Sequence, residues 1–165
     1  MKPKVEFIAN SPRWRSSLAA RKLGRQAIEA SVAECGVALY PGAELCVHLE
    51  TDAHVRELNA RWRGLDKPTN VLSFPAADLA SLAQARLLGD IVLAFETVAR
   101  EAEEEGKPLA DHYRHLVVHG FLHLVGFDHE DDADAEIMEA METRILARLG
   151  VPDPYRACEL MDAAS

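Results

Sequence analysis

Three histidines, His119, His123 and His129, carry the clearest chemical signal in the chain. Residues four apart on a helix share a face, with ~6 Å between Cβ atoms, so His119 and His123 can offer neighbouring imidazoles to one ion. A third ligand on the same row would recede along the helix axis, so the chain must turn. Gly126 can take the positive φ such a turn requires, and His129 lies three residues beyond it, placed to swing back. Three neutral imidazoles with an open fourth position are the ligand set of a catalytic zinc site, whereas structural zinc sites are usually closed by four protein ligands. Nickel, copper and iron also accept imidazole. His112 and His115 fall in the same segment, and His115–His119 is a rival i,i+4 pair.

The spacing H-x-x-x-H-x-x-G-x-x-H resembles that of metzincin proteases in its histidines and glycine. Those enzymes place a glutamate, the general base of peptide hydrolysis, directly after the first histidine. Here that residue is Gly120, which cannot accept a proton. The pattern therefore points to a zincin-like metal helix with a different reaction.

The elements that must position these residues are readable in outline. Val5–Ala9 and Glu44–Leu49 have strand character, and Asn70–Phe74 reads as a strand stopped by Pro75. Leu88–Leu93 reads as a fourth. Ser11, followed by Pro12 at a first helical position, opens a helical stretch to about Gly36 that Gly24 interrupts. Thr51 or Asp52 caps a helix ended by Gly64, and helices follow over Glu96–Glu105, Leu109–Leu124 and about Ala133–Leu149. Ala76–Arg86 is a connection. The last helix is expected to bury Ile137, Met138, Met141, Ile145 and Leu146. The pattern predicts an α+β fold, a small mixed sheet of about four strands packed with about five helices. Residues 1–165 read as a single domain, with a C-terminal tail from about 151.

With 48% hydrophobic and 27% charged residues, the 165-residue chain has a globular composition. No apolar run approaches the ~20 residues of a membrane span, and the first residues lack the apolar core of a secretory signal. Cys35, Cys46 and Cys158 form no disulfide framework and are expected to be reduced, mostly buried thiols of a cytoplasmic protein. The net charge of −9 conceals a polarity. Residues 1–25 hold seven basic residues against Glu6 alone, whereas residues 128–165 hold eleven acidic residues and three arginines. Arg13, Arg15, Arg21 and Lys22 could track RNA phosphates, or could simply be solvated surface charge.

Three blocks carry a family resemblance. His119–His129 resembles the H-G-x-L-H-L-x-G-Y-D-H signature of the YbeY family of bacterial rRNA maturation factors, with Phe127 replacing the usual tyrosine. Leu58–Pro75 is similar to the family's L-N-x-x-[YW]-R-x-x-D-x-P-T-[DN]-V-L-S-F-P, and Leu88-Gly89-Asp90-Ile91 to a shorter third block. The resemblance implies a single-strand-specific, metal-dependent endoribonuclease of rRNA maturation, acting at the 3′ end of small-subunit rRNA, and of ribosome quality control. It implies that His119, His123 and His129 bind one divalent ion, Zn²⁺ by expectation, and that Arg63 is the catalytic residue beside it. Single-stranded RNA and the small ribosomal subunit with its proteins are the implied partners, with neither DNA nor membrane among them. The chemistry fits, because such an ion acidifies water and polarises a phosphoryl oxygen, while a guanidinium offers paired donors to growing phosphate charge. Asp128 and Glu130, the weaker candidates for a general base, are expected to flank the helix or orient a histidine N–H, Trp62 to anchor its helix in preference to stacking on a base, Ser73 and Phe74 to belong to a strand edge and core, and Asp90 to cap or pair locally. Rival readings are a zincin-type peptidase, which Gly120 disfavours, and a non-catalytic ribosome-assembly factor with a structural metal.

Overall fold

A computed structural model describes residues 2–155. The tail expected from about 151 lies outside the described residues from position 156 onward, as does Cys158. The elements run β1 (Lys4–Ala9), α1 (Pro12–Ser17), α2 (Ala20–Cys35), β2 (Glu44–Glu50), α3 (Asp52–Arg63), β3 (Val71–Pro75) and a 3₁₀ helix (Leu79–Gln84). They continue with β4 (Leu87–Ala94), α4 (Phe95–Glu104), α5 (Leu109–Leu124) and α6 (Asp132–Arg148).

The four strands form one mixed sheet in the order β1-β2-β4-β3. β1, β2 and β4 are parallel, as helical crossovers allow, and β3 runs antiparallel on the edge beside β4. Alternation along β2 sends Leu45, Val47 and Leu49 into the main core and Cys46 and His48 to the opposite face. Against the core face lies α5, buried nearly all round through Tyr113, Leu116, Val117, Val118, Phe121, Leu122 and Leu124. A helix apolar on every side belongs in the middle of a domain, and α2 and α6 pack on its outer surface. A smaller apolar cluster, Val55, Leu72, Val92 and Ala94, seats α3 on the other face. The α+β architecture and the four strands agree with the sequence reading.

The structure corrects several details. The first helical stretch breaks at Leu18, which is fully extended, and not at Gly24. The break lets α1 turn Trp14 inward, fully buried against Phe95 and Tyr113, with its indole N–H donating to the Glu50 carbonyl at 3.0 Å. Gly24 stays inside α2 because a Cβ there would stand 2.7 Å from Phe7 and from the Tyr113 hydroxyl. Ser11 precedes α1 without a capping hydrogen bond. Thr51 does cap α3, accepting from the His54 N–H, while Asp52 ties α3 to α4 through Thr97. The connection after β3 holds the 3₁₀ helix, capped by Asp78. On α6, Met138, Ile145 and Leu146 are buried as expected, but Ile137 is 58% exposed and the fourth buried position is Glu142. Cys35 and Cys46 are free thiols, half-buried rather than buried.

Candidate metal centre

α5 brings His119 and His123 to its exposed end, and the turn after it returns His129 to them. Gly126 has φ of 101°, a backbone state that L side chains avoid, and Leu79 fills the space its Cβ would take. The chain thereby reverses within a few residues of Leu124. Ring centroids are then 4.6 Å apart for His119–His123, 5.0 Å for His123–His129 and 5.6 Å for His119–His129. One nitrogen from each ring lies within 4.8 Å of the other two, a group that could hold a metal ion.

The donor set fits such an ion. The Nε2 atoms of His119 and His123 lie 3.1 Å apart, a hydrogen-bonding distance at which one ion displacing the shared proton could take both nitrogens. Burial and the neighbouring imidazoles of His119 and His129 lower the proton affinity of His123, favouring the neutral ring that a metal needs. His119 Nδ1 lies 2.5 Å from Glu142 Oε1. Donation from that nitrogen fixes the tautomer and frees Nε2 for a ligand.

Glu142 was not anticipated. It is fully buried, and its second oxygen meets His115 Nε2 at 3.1 Å and the Tyr155 hydroxyl. Burial by itself would raise its pKa, but the hydrogen bonds to His115 and His119 prevail and hold the carboxyl at about 2. The rival His115–His119 pairing resolves here, since both histidines meet Glu142 and His115 stands outside the three-nitrogen group. His112 is buried and paired with Glu101 at 3.0 Å. Asp128 and Glu130 do not orient a histidine ring; both are exposed, and the Asp128 carboxylate accepts the backbone N–H of His129.

The histidines line an open cavity of about 410 Å³ together with Arg63, Val71, Ser73, Pro75, Phe127 and Asp128. Arg63, from the last turn of α3, is exposed. None of the basic residues of positions 1–25 lines this cavity. Gly120 faces the sheet: a Cβ there would lie 2.9 Å from Ile91 Cγ2 and 3.2 Å from Ser73 Oγ, while the Ser73 hydroxyl donates to the Gly120 carbonyl at 3.1 Å. A glutamate in that position has no room, so the protease base is missing for a packing reason. Trp62 is not an anchor. It is 65% exposed and lines a groove on the other face of the sheet with His54, Leu58 and Phe74.

The family model for Endoribonuclease YbeY matches residues 9–150. The chain belongs to the YbeY family. Among its relatives, the Endoribonuclease YbeY of Rhodopseudomonas palustris strain BisA53 is 53% identical over 156 residues, covering 93% of this chain and 90% of that protein. The Endoribonuclease YbeY of a Bradyrhizobium species, strain BTAi1, is 51% identical over 164 residues, covering 97% and 96%. The solution structure of TM1509 from Thermotoga maritima matches this YbeY-family fold with a TM-score of 0.56 at 23% identity, over 88% of this chain and 91% of that one. Among the described residues, no helix is long and apolar enough to cross a membrane.

Proposed function

We propose that the chain is a single-strand-specific, metal-dependent endoribonuclease of rRNA maturation and ribosome quality control, acting in the cytoplasm at the 3′ end of small-subunit rRNA on the small ribosomal subunit. The observation that carries this reading is the convergence of three imidazoles and one arginine on a single open cavity, in a chain of the YbeY family. In this reading His119, His123 and His129 hold a zinc ion, and Glu142 keeps His119 in the ligating tautomer. When bound, such an ion polarises a phosphoryl oxygen and makes water more acidic.

Arg63 is the catalytic residue of the proposal. Its guanidinium presents paired donors to the two non-bridging phosphate oxygens, whose charge grows as the phosphodiester bond breaks. The edge of β3, which contributes Val71, Ser73 and Pro75 to the same cavity, supplies an open strand along which an extended single strand can lie. Arg63→Ala is expected to lower single-strand cleavage by roughly 10²–10³-fold, the loss typical for one transition-state donor, while the bound metal per chain stays unchanged. Steady-state cleavage of a labelled single-stranded RNA, with metal analysis of the same sample, measures both. Normal cleavage by the variant would remove Arg63 from the mechanism.

A further inference from the structure

A second set of ligating side chains lies on the face of the sheet that α5 does not cover. Alternation along β2 turns Cys46 and His48 to that face, and the parallel register sets Glu6 of β1 and Asp90 of β4 on either side of Cys46. The sulfur of Cys46, a ring nitrogen of His48 and a carboxylate oxygen of Asp90 lie within 4.8 Å of one another. His48 Nε2 is 2.8 Å from Asp90 Oδ1. An open cavity of about 380 Å³, lined by Glu6, Cys46 and Asp90 among others, gives access from solvent. We propose that Cys46, His48 and Asp90 form a second metal site, for a borderline or thiophilic divalent cation such as zinc, independent of the three-histidine centre.

Three features support the assignment. The donors are one sulfur, one imidazole nitrogen and one carboxylate oxygen, a set that takes zinc and its neighbours in preference to magnesium or calcium. They stand on adjacent hydrogen-bonded strands, so the spacing is fixed before any ion arrives. Metal–ligand distances near 2.1 Å in a tetrahedral shell put nitrogen and oxygen about 3.4 Å apart, so His48 and Asp90, now 2.8 Å apart, need part by only about 0.6 Å. Glu6, in register with Cys46, lines the same cavity and adds a negative charge near it. The two centres lie on opposite faces of one sheet, since Ile91, the neighbour of Asp90, packs beneath Gly120 of α5. An ion here would link β2 to β4.

Cobalt(II) alone, titrated into the reduced, metal-stripped full chain, tests the site, because only a thiolate ligand gives a sulfur-to-cobalt charge-transfer band in the near ultraviolet. The wild type is expected to show that band with an equivalent of cobalt beyond the one held by the histidines. Cys46→Ser should abolish the band and lose one equivalent, with far-ultraviolet circular dichroism verifying the fold. Asp90→Asn keeps the thiol and should weaken the sulfur-associated binding on the order of tenfold or more. In His119→Ala/His123→Ala the band should persist, which separates this site from the proposed catalytic one. Absence of the band in the wild type, or a band that survives Cys46→Ser, would overturn the proposal.

Discussion

Glu142→Ala is expected to destabilise the protein by about 3 kcal/mol or more, the range for removing one partner from a buried charged network. The wild-type carboxylate is fully buried and in contact with His115, His119 and the Tyr155 hydroxyl. Alanine leaves those three polar groups without their acceptor and opens a void among Met138, Ile145 and α5. Each effect alone is worth on the order of 1–3 kcal/mol. Because His119 then loses the group that fixes its tautomer, metal affinity should fall a further 10–100-fold. Glu142→Gln, which keeps one acceptor oxygen, should lose less of both. The carboxyl has a folded pKa of about 2, below its usual 4.5, so the unfolded chain takes up the proton first. Its stabilisation is therefore complete above about pH 4.5 and is lost as the pH falls toward 2. Urea melts of the metal-stripped proteins at stepped pH measure this. Equal midpoints for wild type and Glu142→Ala at neutral pH would show that Glu142 has no such role.

His123→Ala removes the central imidazole of the three, the one whose ring centroid is nearest to both others. Cleavage of single-stranded RNA is expected to fall by roughly 10³-fold or more, exceeding the loss of a single hydrogen-bond donor, together with loss of the bound ion. The fold should persist, because His123 is only half-buried and its ring hydrogen bond goes to His119. Melting of the metal-free variant within a few degrees of the metal-free wild type, beside metal analysis, distinguishes loss of a ligand from loss of structure. Retention of a stoichiometric ion at this centre would contradict the ligand set.

The histidine group could be read from the sequence because its geometry is local. Helical periodicity relates His119 to His123, and one glycine decides where His129 can go. Arg63 is different: as an isolated residue it looks like any arginine at a helix end, and only the neighbouring motif singles it out. Glu142 was hidden by its surroundings, a run of acids that reads as solvated surface. A sharper signal was present, since Met138, Glu142 and Ile145 are spaced by four and three, so the acid lies inside an apolar stripe. The same spacing argument misled at Trp62, which continues the row of Val55 and Asn59 yet faces an open groove. The break between α1 and α2 was illegible locally, because it is imposed by the docking of Trp14 on Phe95 and Tyr113, residues some eighty and a hundred positions away. The Cys46–His48–Asp90 group depends on pairing two strands more than forty residues apart, which no sequence pattern states.

Cleavage of a defined single-stranded RNA by purified, metal-quantified wild-type protein, run beside His119→Ala prepared identically, decides whether the three-histidine centre carries the reaction. A catalytic three-histidine centre gives endonucleolytic products from the wild type, their loss on chelation and return with zinc, and only background from His119→Ala. Equal cleavage by the two proteins, or none by a fully metal-loaded wild type, would contradict it.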